Sequence, residues 1–181
     1  MKIETLPTDQ MVIEAERLTL RPVEESDAGL LEMYAGDERV ARMTRSIPHP
    51  MPPGAAEAFI RAARSEDRRE DIWIIDGRVS DRDAMLGVIN LERLDRNQSE
   101  IGYWVAPAFW NTGFATEAVR AIIAANPHGS NQIFAEVFQD NAVSARVLTN
   151  CGFEYLGDAE DFSIARNSKV PSWTYCLQMG G

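Results

Sequence analysis

The segment Ile101-Gly102-Tyr103-Trp104-Val105-Ala106-Pro107-Ala108-Phe109-Trp110-Asn111-Thr112-Gly113-Phe114-Ala115-Thr116-Glu117-Ala118 decides how the rest of the chain is read. It begins like a strand, passes through proline and glycine, and ends by opening a helical period. That period runs through Ala115, Ala118, Val119, Ile122 and Ile123, spaced i, i+3, i+4, i+7 and i+8. The first backbone N–H groups of a helix have no partner inside it, and the helix dipole there favours anions, so a diphosphate can be held at such a turn. The same residues also fit an ordinary strand-to-helix turn in which Gly113 supplies a positive φ, since one glycine is a weaker signal than a three-glycine fingerprint.

Upstream, residues 16–22 alternate apolar and polar and stop at Pro22, which reads as a first strand. Ser26 or Asp27 can cap a short helix carrying Leu30, Leu31 and Tyr34, and Asp37 a second helical turn through Val40 and Met43. Four prolines crowd residues 48–53, so a surface loop is expected there, leading into a helix with Pro53 near its first position. Ala56, Phe59, Ile60 and Ala63 form the inward face of that helix. Residues 72–75, 85–91 and 100–105 read as an antiparallel meander with turns at Asp76-Gly77 and Asp95-Arg96-Asn97.

Downstream, residues 133–138 form a strand, and Asn141 opens a helix carrying Val143, Val147 and Leu148, with Gly152 as its C′ glycine. Residues 153–156 and 172–177 are the last strands. The order β-α-α-β-β-β-α-β-α-β-β describes a single α+β domain on one mixed central sheet, over residues 1–181 with a core from about 14 to 179.

With 181 residues, 45% apolar and 25% charged, the chain has the composition of one ordered globular domain. No run approaches 18 uncharged apolar residues, so no membrane span is expected. Met1-Lys2-Ile3-Glu4-Thr5-Leu6-Pro7 lacks an apolar signal core. Cys151 and Cys176 have no His or Cys at metal-ligand spacing and read as buried small apolar residues in a reducing cytoplasm. Eighteen basic residues against 28 acidic ones give a net charge of −10 with no basic block, which argues against nucleic acid as a partner. An acidic protein favours cationic partners at long range, amines among them.

The Gly102-Tyr103-Trp104-Val105 and Trp110-Asn111-Thr112-Gly113-Phe114-Ala115-Thr116-Glu117-Ala118 pieces resemble the acyl-CoA diphosphate motif of the GNAT superfamily of N-acetyltransferases. Asn141-Ala142-Val143-Ser144-Ala145-Arg146-Val147-Leu148 with Cys151-Gly152-Phe153 resembles the motif that follows it. Arg17-Leu18-Thr19-Leu20-Arg21-Pro22 with Asp27 resembles the start of the RimJ/RimL-like subgroup, so the likeness runs over nearly the whole chain in the family's order. It implies a GNAT-like domain with splayed strands forming a CoA cleft, acetyl-CoA as co-substrate, and no metal. Pantetheine is then expected along Tyr103, Trp104 and Val105, and the diphosphate against Trp110, Asn111, Thr112, Gly113, Phe114, Ala115 and Thr116.

The chain departs from the family pattern at three places. Trp110 stands where Gln or Arg is frequent, although Trp is familiar in the subgroup. Asn111-Thr112 stand where a glycine and a basic residue or Gln are usual, and Leu148 where many members carry a tyrosine. Without the base, the Thr112 and Thr116 hydroxyls and a helix terminus contributing up to about 2 kcal/mol are left to hold the diphosphate.

Acetyl transfer to nitrogen has three requirements. The amine must be neutral, which at pH 7 costs about 4.6 kcal/mol for a lysine-like amine of pKa about 10.4 but only about 1.4 for an α-amine of pKa about 8. Glu100 is the candidate base, acting through a water, with Glu136 on the following strand as the alternative; Glu100 also fits a plain exposed strand carboxylate. The resemblance implies that a backbone N–H near Val105, freed at a strand bulge, receives the charge growing on the carbonyl oxygen. The departing thiolate needs a donor, and the resemblance implies Ser144, which is otherwise a first-turn helix serine. Asn141 is an N-cap, a pantetheine ligand, or both.

His49 and His128 read as loop histidines, and Trp73, Trp104, Phe109 and Trp110 as core or groove aromatics. Arg61, Arg64, Arg68 and Arg69 read as a solvated helix end. The chain is expected to be a cytoplasmic acetyl-CoA-dependent N-acetyltransferase, monomer or homodimer. Its acceptor is a protein N-terminal amine, such as that of a ribosomal protein, or a small amine, polyamine or antibiotic. Loops near 25–54 and 158–171 are expected to build the acceptor side. The rivals are a CoA-binding sensor module that does not transfer and a purely structural domain.

Overall fold

Alternate residues of the central strands feed two separate cores, one on each face of a single sheet. The structure is a computed structural model that describes residues 10–180, so the N-terminal heptapeptide quoted above lies outside the described residues. The strands are β1 (Ile13–Glu14), β2 (Thr19–Pro22), β3 (Glu70–Asp76), β4 (Gly87–Leu94), β5 (Gln98–Val105), β6 (Gln132–Phe138), β7 (Glu154–Ser163) and β8 (Ser168–Gln178). They pair in the order β1-β2-β3-β4-β5-β6-β8-β7, antiparallel except for β5 with β6. Helices α1 (Ala28–Ala35), α2 (Glu38–Ala41) and α3 (Ala55–Ala63) precede the meander, while α4 (Phe114–Ala125) and α5 (Ala142–Asn150) flank β6 in sequence.

On one face Ile101, Tyr103 and Val105 of β5 pack with Phe114, Val119 and Ile122 of α4 and Ala145 and Leu148 of α5. On the other, Ile72, Ile74 and Val88 pack with Leu31 and Ala35 of α1 and Ala56, Ile60 and Ala63 of α3, and Trp104 joins them. Burial of these aliphatic side chains, worth about 25 cal/mol per Å² of apolar surface, holds the helices on.

The element order is the expected one, with differences of extent. A two-residue strand, β1, precedes the first expected strand, which is shorter than read because Ala15 N–H turns back to the Leu18 carbonyl at 2.9 Å. Gly54, at φ 81°, is the N-cap of α3, so Pro53 lies outside the helix rather than at its first position. Between β3 and β4 the chain makes a ten-residue excursion, residues 77–86, with a 3-10 turn, instead of a tight Asp76-Gly77 hairpin. The last hairpin runs far beyond the expected strands, so residues 158–171 are mostly strand and not an open loop.

The β5–β6 ladder is short: Gln98↔Gln132, Ser99↔Ile133 and Glu100↔Phe134. Beyond Glu100 the strands part, and β6 continues against β8 as far as Phe138↔Ser172. The closed end of this V is pinned by buried polar groups. Ser99 Oγ lies 2.6 Å from Ser130 Oγ, and His128 Nε2 lies 2.7 Å from Asp71 Oδ2, which also accepts from Arg68 at 2.8 Å on its other oxygen. Asp71 is held below its ordinary carboxyl pKa: burial opposes the charge, but His128 and Arg68 outweigh it. His128 and Arg68 are therefore structural ties rather than a free loop histidine and a solvated arginine, and Arg64 donates to the Val23 carbonyl at 2.9 Å.

A second polar tie fixes the chain's entry. Arg21 reaches Asp27 at 2.9 and 2.8 Å and Asp76 at 2.7 Å, and both acids are buried. Burial disfavours the guanidinium charge, yet the two acids raise the Arg21 pKa above its usual value. Replacing Arg21 by Met takes the arginine from buried Asp27 and leaves Asp76 with Arg78 alone, and is expected to lower stability in urea unfolding by about 3 kcal/mol. The sign of the pH dependence follows from Asp76, whose pKa is depressed by Arg78 and Arg21 against the penalty of burial. The wild type loses that contribution as pH falls through the depressed value, whereas Arg21→Met keeps less of it to lose. Its acid destabilisation below about pH 4, the ordinary aspartate range, is expected to be shallower; parallel curves would show that Arg21 contributes nothing through Asp76.

Candidate active site

The loop between β5 and α4 is shaped by its own residues before any ligand arrives. Asn111 and Gly113 adopt φ of 61° and 80°, and Gly113 is the N-cap of α4. The Trp110 indole Nε1–H donates to the Val105 carbonyl at 2.7 Å, folding the loop back onto the strand end. The Thr112 hydroxyl donates to the Phe109 carbonyl, so it is committed to the loop rather than left for a phosphate as expected. Arg17 braces the outside: its Nε–H and backbone N–H reach Glu117 at 2.7 and 2.8 Å, and its Nη1–H reaches the Thr112 carbonyl at 3.0 Å. The first amides of α4 lie beyond the intrahelical ladder, whose first bond runs from Glu117 N–H to the Gly113 carbonyl at 3.0 Å.

The wall opposite is α5. The Asn141 Oδ1 caps it by accepting from Ser144 N–H at 3.4 Å, while the Asn141 Nδ2–H donates to Ser144 Oγ at 3.0 Å. Because Ser144 Oγ accepts from Asn141, its own hydroxyl proton stays available to another acceptor. The Tyr103 hydroxyl donates to the Ser144 carbonyl at 2.9 Å, tying strand to helix, and burial raises its pKa so that it stays a phenol. Leu148 is fully buried in the core, so that position does not face the cleft at all.

A cleft of about 340 Å³ lies between these walls. It is lined by Tyr103, Trp104 and Val105, by Trp110, Asn111, Thr112, Gly113, Phe114, Ala115 and Thr116, and by Val143, Ser144, Arg146, Val147 and Asn150 of α5. Asn141 stands behind Ser144 rather than on the wall. A mostly apolar channel ending on uncapped helix amides fits a pantetheine arm followed by a diphosphate. Arg17 and Arg146 belong to the quoted motifs, and sequence alone assigns neither a place at the site. The signal for Arg146 is the helical spacing of 143, 146, 147 and 150, which sets it on one face with two valines.

Glu100 belongs to the other face of the sheet. A cavity of about 560 Å³ there is lined by Glu70, Glu92, Glu100, Glu136 and Asp161, with Asn90, Trp104, Phe162 and Ile164. The register sets Glu70 opposite Glu92 and Glu92 opposite Glu100, a row of three carboxylates across β3, β4 and β5. Like charges directly opposite are unfavourable in a sheet. Arg45, from the loop after α2, enters this row, with Glu100 at 3.3 Å, Asp161 at 3.0 Å and Glu136 at 3.8 Å. Burial pushes the Glu100 carboxyl above its usual pKa, Arg45 pulls it back, and Glu136 and Glu92 push it up again. Glu70 is raised by burial first and by Glu92 second. Gly102 keeps the floor open, since a Cβ there would meet Asn90 Oδ1 at 2.8 Å.

The structure thus brings Ser144 and the loop residues together on one face and Glu100 and Glu136 together on the other. Tyr103 and Trp104 line both cavities, which meet along residues 101–105, where β6 has left the edge of β5. In the antiparallel ladder Ala106 N–H points to β4, at 2.8 Å from the Leu86 carbonyl, so the amides of the odd-numbered residues, Val105 among them, face the gap. Among the described residues no group of His, Cys, Asp and Glu is placed to hold a metal, and no helix is long and apolar enough to cross a membrane.

Comparison with known proteins agrees with this geometry. The model of the acetyltransferase (GNAT) domain matches residues 17–154. The N-acetyltransferase YoaA of Bacillus subtilis, itself uncharacterised, is 28% identical over 171 residues, which cover 92% of this chain and 96% of YoaA. Among solved structures, the microcin C7 self-immunity acetyltransferase MccE, in complex with acetyl-CoA and AMP, superposes with a TM-score of 0.78 at 17% identity, covering 91% of this chain and 93% of that one. RimJ of Mycobacterium smegmatis, in complex with CoA-disulfide, gives 0.78 at 18% identity, covering 96% and 89%. With a family match over most of its length and a donor cleft of the required form, the chain belongs to the GNAT family and is an acetyl-CoA-dependent N-acetyltransferase.

Proposed function

We propose that the enzyme moves acetyl from acetyl-CoA to the primary amine of an acceptor that carries further positive charge. The observation behind this is the row Glu70–Glu92–Glu100, extended by Glu136 and Asp161, on the far side of β5 from the CoA cleft. Five carboxylates face one arginine there, an arrangement that is unfavourable without cations and favourable with them. The reacting amine meets the acetyl group through the gap beside residues 101–105. Glu100 accepts the amine's proton through a water, and the Val105 amide receives the charge growing on the carbonyl oxygen. Ser144, oriented by Asn141, donates to the departing sulfur. Tyr103 and Trp104 hold the two cavities in register, and the pair of unbridged cysteines fits a reducing cytoplasm.

A second reading, a protein N-terminal amine, is favoured by a separate feature. Phe162 and Ile164 are 47% and 49% exposed at the edge of the acceptor cavity, an apolar rim that suits a polypeptide. The two readings separate in one set of rates. A polyamine is expected to give kcat/KM at least tenfold above a monoamine of equal length, and Glu92→Gln is expected to erase that preference. A basic N-terminal peptide outperforming every small amine would give the case to the second reading, and an acceptor panel with no charge preference would sink the first.

Glu100→Gln is expected to slow transfer about 100-fold at neutral pH, within the usual range for a general base. The loss should shrink as pH rises towards the pKa of the amine, because solvent then supplies the neutral form without help. Since the Glu100 pKa is raised, the acid limb of the wild-type profile is expected above the ordinary glutamate range, and it disappears in the variant. Profiles that stay parallel would transfer the role to Glu136 or to no base.

Gly113→Val places a β-branched side chain at φ 80°, where its Cβ also meets Arg17 Nη2 at 3.3 Å. CoA affinity by calorimetry is expected to fall at least tenfold, corresponding to about 1.4 kcal/mol. Unchanged affinity would show that the diphosphate lies elsewhere.

A further inference from the structure

The nucleotide half of CoA bears a diphosphate and a separate 3′-phosphomonoester of charge about −1.5 to −2 at pH 7. A chain of net charge −10 must gather local positive charge to hold both. The uncapped amides at the start of α4 serve one anion, and the loop from Trp110 to Thr116 contains no basic residue to help with another. Arg17 is committed to Glu117 and the Thr112 carbonyl. Arg120 gives its Nη2–H to the Asn150 carbonyl at 3.3 Å.

Arg39 and Arg82 stack on Trp110 and Phe114 without lining the cleft, whose wall carries one charged side chain, Arg146. It is exposed, and among the described residues it makes no ion pair. Its position is fixed by the packing of α5. The inner end of the helix is tied at Ser144 to Tyr103. Its outer end lies against the first turn of α4, where the Cys151 thiol contacts the Thr116 carbonyl at 3.8 Å. The diphosphate site and the outer half of α5 are therefore neighbours, and Arg146 and Asn150 project from that half onto the cleft beyond the apolar pair Val143 and Val147.

Resting on the acyl-CoA cleft described above, we infer that Arg146 is the 3′-phosphate receptor of the donor site, with Asn150 as its polar neighbour, and that it makes the enzyme discriminate CoA from dephospho-CoA. A guanidinium presents paired N–H donors that match two phosphate oxygens, and at an exposed site such a contact is worth about tenfold in affinity. The terminal arginine thus takes over part of the charge that a basic residue in the loop would have supplied, but to a different phosphate.

Calorimetric titration of the full chain with CoA and with dephospho-CoA tests this. The wild type is expected to bind CoA about tenfold more tightly than dephospho-CoA. Arg146→Gln is expected to lose that tenfold for CoA, leave dephospho-CoA unchanged and keep the wild-type unfolding midpoint; Arg146→Lys should recover part of the loss. Arg61→Gln, on the remote surface of α3, should change neither affinity and so controls for net charge. An equal loss for both ligands, or a wild type indifferent to the 3′-phosphate, overturns the assignment of Arg146. A wild type that binds neither ligand overturns the placement of the donor cleft instead.

Discussion

Strand β5 loses its neighbour half-way along its length, and the rest of the site is built around that loss. Up to Glu100 its open edge is bonded to β6; from Ile101 onward β6 is bonded to β8 and has left. A strand edge buried without a partner leaves amides and carbonyls that must find one. Here one carbonyl, that of Val105, is satisfied by the Trp110 indole, and the amides face the gap that β6 has left. The separation is stable because its closed end is pinned by the Ser99–Ser130 and Asp71–His128 contacts, which sit where the parallel ladder begins.

The same strand divides two regions of opposite electrostatic character. On the α4 and α5 side the cleft offers a helix N-terminus and Arg146, and no carboxylate. On the α1 and α3 side the cavity offers five carboxylates and Arg45. Since odd and even residues of a strand face opposite ways, Tyr103 and Val105 fall on the cleft side while Glu100 and Gly102 fall on the acidic side, so one strand presents two surfaces of different charge.

What was legible in the sequence was local. The 3.6-residue period of α4, the Asn141 cap and the apolar runs of the meander are each written within a dozen residues, and the structure has a helix, a cap and strands there. The long hairpin was not legible, because β7 is exposed on almost every residue and carries no alternation of burial to read; its order comes from the ladder to β8. The carboxylate row was not legible either. Glu70, Glu92 and Glu100 are unremarkable in sequence and become neighbours only through strand register, and a shift of one residue would have sent one of them to the opposite face. The ties Arg68–Asp71–His128 and Arg17–Glu117 failed to show for a related reason: the histidine lies 57 residues from its acid and Glu117 lies 100 residues from its arginine.

The departure at Leu148 shows how the fold constrains chemistry. Position 148 points into the core beneath α5, so an aromatic donor there would have to rotate the helix or displace its buried neighbours from packing. Position 144, four residues earlier, faces the cleft instead, and a serine there is short enough to be fixed by its own cap. Asn141 bonds both its amide and its hydroxyl oxygen, while Tyr103 bonds its carbonyl, so two contacts hold the backbone of Ser144 and one its side chain with a single χ angle. A hydroxyl oriented by its own cap has little entropy left to lose on donating to a group bound in the cleft. In this chain the tyrosine supports the helix and the serine faces the cleft, a division that goes with the burial of Leu148.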